Sequence, residues 1–158
     1  MNAILAAMSL LVFVGVALFR PDTGGPAVLL GAALALGVAF VLSRAESRGR
    51  AFLLNVFIVG LLLRLLLATA LDVMGIQEFF GGDALTYDEQ GYATLLVWQG
   101  ELRYADVGVR LAAAHGWGMP YLVAAIYGLV GRNMLAVQFV NAVIGAATAP
   151  VIFLCARH

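Results

Sequence analysis

Residues 51–74 read AFLLNVFIVGLLLRLLLATALDVM, an apolar run whose interior is broken by a single charge, Arg64. A helix needs roughly 17–25 residues of this character to cross a bilayer, so this run alone commits the chain to lipid. Four more apolar stretches accompany it: Ala3 to Phe19, Ala27 to Leu42, a stretch from GWGMPY (116–121) to Val130, and Asn133 to Leu154. Of the 158 residues, 63% are hydrophobic and 11% charged. A soluble domain of that size has no interior large enough for so much apolar surface. The reading is an all-α polytopic membrane protein with four to five transmembrane helices and an external loop, 75–116, carrying an amphipathic helix. Residues 1–50 form an N-terminal transmembrane hairpin and 51–158 a core. The N-terminus lacks the basic region and small-residue cleavage site of a signal peptide, and reads as a retained helix. The lone Cys155 lies in an apolar run and says nothing about redox compartment.

Charge gives the expected orientation. The chain has no Lys, and Arg44, Arg48 and Arg50 crowd the loop RAESRGR (44–50). By the positive-inside rule this loop is cytoplasmic, which places the N-terminus inside and sends 51–74 outward through a plasma or bacterial inner membrane. Most of the acids (Asp72, Glu78, Asp83, Asp88, Glu89, Glu101, Asp106) then fall on the external, periplasmic-type side. Beyond residue 116 two topologies stay open. If both remaining stretches cross, Arg132 is inside while Arg157 and His158 emerge outside, against the charge rule. A short, tilted or re-entrant fourth stretch is the alternative.

Local patterns fill in the helices. RPDTGGP (20–26) reads as a turn, with Pro26 in the first turn of the second span. Ala27, Gly31, Ala35 and Ala39 recur every four residues, a ridge of small side chains that lets a neighbouring helix approach closely. On the last span Gln138, Asn141, Gly145 and Thr148 share one face and read as an interhelical packing and hydrogen-bonding stripe. In the external loop Thr86-Tyr87-Asp88-Glu89 fits a capping box, predicting a helix from Tyr87 to Gln99 with Trp98 as an interfacial anchor. A second, weaker helix is expected over Val107 to His115. Capping accounts well for Glu89, since acids in a first turn contribute about 0.3–1 kcal/mol each. It accounts less well for Asp83, which precedes the box.

An outward helix bearing Arg64, then Asp88-Glu89-x-x-Tyr92 on an amphipathic external helix, then a Pro-containing return into two apolar helices (118–157), resembles the N-terminal part of the GT-C membrane glycosyltransferases. The nearest type is glycosyltransferase 39/83, the protein O-mannosyltransferases and the aminoarabinose and galacturonosyl transferases of lipid A. The resemblance covers residues 51–158 and reads the chain as a fragment of a longer protein. Two positions differ: Gly91 stands where relatives often have Arg, and Gly118-Met119-Pro120 where they often have Lys-Pro-Pro. The resemblance implies transfer of a sugar from a polyprenyl-phosphate donor to an acceptor glycan, lipid or protein on the external face. Asp88 would act as base or acceptor-orienting group with Glu89 beside it; Tyr92 and Asp83 would contact substrate. A hydroxyl attacking an anomeric carbon needs a carboxylate within hydrogen-bond reach, and a departing lipid phosphate needs a cation. Arg103 and Arg110 are the local cations, His115 a donor, and Arg64 either a buried structural pair, with an acid or with Gln138 and Asn141, or a phosphate contact. Some relatives use a divalent cation and others none; Asp83 and Asp88 are the metal candidates here.

Two other classes remain. A non-catalytic scaffold would dock a partner through the external helix, using Leu95 and Trp98. A transporter would line a path with Asp83, Asp88 and Arg64, yet the first two spans offer almost no polar residues for it. Nucleic-acid binding has no support, because the arginines are scattered and the external segment is acidic.

Overall fold

The computed structural model describes residues 2–44, 47–75, 83–104, 106 and 118–156. They form six α-helices: α1 Asn2–Phe19, α2 Pro21–Ser43, α3 Ser47–Met74, α4 Asp83–Trp98, α5 Gly118–Val130 and α6 Met134–Ala156, with a single 3-10 turn at Leu102–Tyr104. Three of them, α2, α3 and α6, are long and apolar enough to span a membrane. Their outward residues, among them Leu29, Leu36, Phe40, Leu63 and Ile152, are exposed, which hydrocarbon tolerates and water does not. Helix α5, at about 1.5 Å per residue, reaches only about 20 Å and falls short of a bilayer's ~30 Å core.

Helix α6 lies at the centre, packed on α2 and α3; α1 packs on α2 and α3, and α4 pairs with α5. The small-residue ridge of α2 does what its spacing predicts. Ala27, Gly31 and Ala35 are buried, and a Cβ on Gly31 would lie 3.2 Å from the Phe139 Cβ of α6. The expected turn at 20–26 is shorter than its composition suggests. Helix α2 starts at Pro21, leaving Arg20 alone between helices. A proline at the first helical position gives up only an N–H that had no partner there. Gly24 makes the tight reversal feasible, since a Cβ there would stand 2.5 Å from the Val16 carbonyl oxygen of α1.

Side-chain contacts identify the two ends of the bundle. At one end Arg20 pairs with Asp72 at 3.4 Å, and the Asn133 side-chain amide donates to the Thr23 carbonyl at 2.7 Å. Asn133 also caps α6, accepting from the Ala136 N–H at 3.1 Å. At the other end Phe52 of α3 meets Phe153 of α6, ring centroids 5.1 Å apart, so α3 and α6 run antiparallel. The link before α6 therefore sits at the same end as Asp72.

Candidate functional site

Helix α4 begins earlier than the capping-box reading has it. It is already helical at Asp83, so Thr86 and Glu89 lie within the helix and form no box. Ala84 and Leu85 are good helix formers, and Asp83 supplies the first-turn acid that favours the helix dipole. Starting there brings Asp83 and Asp88 to one cavity. Gly91 sets the depth at which α4 sits on α5: a Cβ at that position would stand 2.6 Å from the Val123 Cβ and closer still to its Cγ1. Gly91 is a helix-crossing point with no room for a side chain.

Seated this way, Asp88 meets two groups far along the chain. The Tyr127 hydroxyl of α5 donates to Asp88 Oδ1. Arg132, in the link between α5 and α6, forks onto both oxygens, with Nη2 on Oδ2 and Nε 3.4 Å from Oδ1. The same guanidinium lies over the Tyr92 ring, 4.7 Å from its centroid. Burial disfavours the charged form of Asp88, but the hydrogen bonds from Arg132 and Tyr127, with the charge of Arg132, outweigh it. The carboxyl is held below the ordinary value of 3.8. It is thus an ionised, oriented acceptor rather than a strong base.

Asp88 stands in the wall of a cavity of about 340 Å³ with Asp83, Tyr87, Tyr127, Gln138 and Asn141 among its other lining residues. Ligand pockets run roughly 300–1,000 Å³, mostly apolar with a few convergent polar groups, and Leu71, Met119, Val123, Met134 and Val137 supply the apolar part. The α6 stripe divides: Gly145 packs against Arg64 of α3, as an interhelical face does. Leu135, Phe139, Val143 and Ala146 carry the helix packing, while Gln138 and Asn141 turn to the cavity. Thr148 is exposed and bonds its own helix at the Ile144 carbonyl, 3.0 Å away.

The remaining expected site residues divide. Tyr92 is drawn in beneath Arg132 but does not line the cavity. Glu89 is exposed and lies off the cavity. Arg103 pairs with Glu101 at 3.1 Å and does not line the cavity. Arg110 and His115, with the helix expected at Val107 to His115, fall outside the described residues. Arg64 has no ion-pair or hydrogen-bond partner among the described residues; the pairing expected with an acid, Gln138 or Asn141 is not made. Among the described residues no three His, Cys, Asp or Glu side chains gather as a metal site would need. Tyr127 and Arg132 were not foreseen as site residues. Gly131-Arg132-Asn133 between two apolar runs was the available signal, a charge at a helix junction with a capping Asn beside it.

In comparisons with family models, curated proteins and solved structures, nothing matches this chain.

Proposed function

We propose that the chain is a membrane glycosyltransferase, or the part of one that carries its outer site, moving a sugar from a polyprenyl-phosphate donor to a hydroxyl acceptor. The observation that carries the reading is the cavity itself. Two carboxylates and two carboxamides converge on an otherwise apolar hollow, at the end of the helices where the bundle gives way to α4. Carboxylates and carboxamides are the groups that bind hydroxyls of a sugar, and an apolar wall suits its lipid carrier. The opposite end holds Arg44 and leads into the Arg-rich loop, which by the charge rule faces the cytoplasm and leaves the cavity outside.

Asp88, pinned by Tyr127 and Arg132, orients the acceptor hydroxyl. Asp83 lines the same cavity with no bond to another described side chain and takes the proton. In the transfer the acceptor oxygen bonds to the anomeric carbon as that carbon's bond to the phosphate oxygen breaks. The electron pair leaves on the lipid phosphate and the acceptor proton passes to the carboxylate.

Transfer from a radiolabelled polyprenyl-phosphate sugar, measured in proteoliposomes, tests the reading. Asp83→Asn is the cleaner variant, because no hydrogen bond or ion pair among the described residues is lost with it. Its transfer should fall by about 10²–10⁴-fold at unchanged melting temperature; full activity would remove Asp83 from the chemistry. Loss of transfer is also expected for Asp88→Asn, and an active variant there would overturn the reading. The scaffold reading draws on one observation, that both Asp88 oxygens are engaged as in a structural clasp. Of its two docking residues, Leu95 packs against α5 over Gly128, while Trp98 meets Tyr121 at 5.7 Å between centroids and keeps half of its surface exposed.

A further inference from the structure

A groove of about 510 Å³ runs between α1 and α3 with Leu135 of α6 at its back, and shares no lining residue with the cavity of Asp83 and Asp88. Helical spacing builds its walls. Val12, Gly15, Val16 and Phe19 fall on one face of α1, and Leu66, Thr69 and Val73 on one face of α3. Gly15 gives the groove its width, because a Cβ there would meet nothing within 4 Å. In a bilayer an apolar groove takes up whatever acyl chain lies beside it, so any selectivity comes from polar groups at its rim.

Three polar groups stand at one end of this groove in a fixed order. Arg20 and Asp72 close its mouth, where α1 has just ended and α3 has one turn or less to run. Their contact is loose. Arg20 Nη2 lies 3.4 Å from Asp72 Oδ2 and 3.4 Å from its carbonyl oxygen. The other guanidinium nitrogens and Asp72 Oδ1 have no hydrogen-bond partner among the described residues. Thr69 precedes Asp72 by three positions and lies about 4.5 Å deeper along α3. Its Oγ1 is buried and has no hydrogen-bond partner among the described residues, which costs stability unless a ligand bonds it. Deeper still, Leu66, Val16 and Val12 make the walls hydrocarbon. A cation beside an anion, then a lone hydroxyl, then apolar space is the order of a diacyl phospholipid: charged headgroup, ester carbonyl, chain.

We infer that the α1–α3 groove is a binding site for one aminophospholipid. Its phosphate lies on the free N–H groups of Arg20, and its primary ammonium donates to Asp72. An ester carbonyl accepts from the Thr69 hydroxyl, and one acyl chain follows Val16 and Leu66 inward. Charge balance selects the headgroup. Asp22, in the first turn of α2 two positions after Arg20, adds a second carboxylate near the one guanidinium, and that disfavours a lipid of net negative charge. A headgroup with its own ammonium answers both signs. The occupant is a chain rather than another helix, because α1 and α3 already pack on each other and a helix is about 10–12 Å across. The site stands apart from the transferase reading, sharing no residue with it. The bound lipid ties the end of α1 to the last turns of α3.

The test is titration of the purified protein in maltoside detergent, with bound lipids counted by native mass spectrometry. Three probes share the same acyl chains: phosphatidylethanolamine, phosphatidylcholine, whose cation has no N–H, and phosphatidylglycerol, which has no cation. One phosphatidylethanolamine per chain should bind at least about tenfold more tightly than either of the others, as one charge-assisted contact implies. Asp72→Asn should remove the preference over phosphatidylglycerol, and Arg20→Gln should weaken all three lipids. Thr69→Val should weaken the diacyl lipid and spare its dialkyl ether counterpart, which has no carbonyl. Gly15→Leu keeps every polar group and should block binding by filling the groove, so the site remains testable where a charge variant fails to fold. Circular dichroism and size-exclusion profiles identify the folded variants. Equal affinity for the three lipids, or undiminished binding by Gly15→Leu, overturns the site. Equal effects of Thr69→Val on ester and ether lipids overturn the assigned depth. Full displacement by glycerophosphoethanolamine, which has the headgroup and no chain, overturns the lipid as occupant. A dimer that forms without lipid and is lost in Gly15→Leu overturns it in favour of a second copy.

Discussion

Arg132 and Arg64 are the same residue in opposite circumstances. Arg132 sits at the end of the bundle, half-exposed, with a carboxylate on its fork and a tyrosine ring beneath it. Arg64 sits within an apolar helix beside a glycine and has no counter-ion among the described residues. The first could have been hydrated and is paired; the second could not be hydrated so readily and is left alone. Stability alone would favour the reverse arrangement. The pairing at Arg132 reads as architecture, fastening α4 to the α5–α6 link, whereas Arg64 lies against Gly145 of α6 with no counter-ion among the described residues.

Exchanging each arginine for leucine separates the two roles most sharply. Arg64→Leu removes a charge that has no partner among the described residues, so the melting temperature in detergent should hold or rise. Arg132→Leu should lower it by about 1–2 kcal/mol, the range for losing charge-assisted bonds in a half-exposed pair. Matching losses from both would mean that Arg64 has a structural partner, and the comparison would fail.

The next effect concerns the seat of Asp88 rather than its charge. Gly91→Ala drives a methyl into Val123, and overpacking of that kind is worth about 1–3 kcal/mol of destabilisation. Because α4 would lift from α5, the Asp88–Tyr127 and Asp88–Arg132 contacts should loosen together. A double-mutant cycle between Gly91→Ala and Arg132→Leu should then be non-additive; strict additivity would mean that the clasp forms independently of the helix crossing.

How far these features could be read from the sequence follows the range of each signal. The apolar runs and the Ala27–Gly31–Ala35 ridge repeat within one helix, so periodicity exposes them before any contact is known. The start of α4 was misplaced because Thr86-x-x-Glu89 is a genuine local pattern, overridden by a helix that had begun at Asp83. The polar stripe of α6 meets a helix at Gly145, against Arg64 of α3, and a hollow at Gln138 and Asn141, and only packing decides which. Tyr127 and Arg132 lie 39 and 44 positions from Asp88, and no short-range rule joins residues so distant. The charge-rule conflict lay at Arg157 and His158, and what bears on it is a contact no local pattern shows: the antiparallel packing of α3 and α6, which puts the start of α6 at the Asp72 end of α3.

Tyr127→Phe probes the clasp more gently than either arginine exchange. It deletes one hydroxyl and keeps the ring in its buried place, so a loss of about 0.5–1.5 kcal/mol is expected. An unchanged melting temperature would leave Arg132 as the sole anchor of Asp88.

Acidity offers the mildest perturbation and tests the clasp without mutation. The folded-state pKa of Asp88 lies below its ordinary 3.8, so the unfolded chain takes up the proton first as pH falls. The stability contributed by this group is therefore complete above about pH 4–5, and it is lost as pH drops through the folded value. Between pH 5 and 8 its ionisation should contribute no slope to the melting temperature, and wild type and Asp88→Asn should run parallel there. Below pH 4 the two curves should converge, since the wild-type carboxyl is becoming neutral while the amide already is. A limb near pH 6 present in wild type and missing from Asp88→Asn would mean that Asp88 titrates in the neutral range. Arg132 would then not hold it as an anion, and the contrast with Arg64 would lose its paired half.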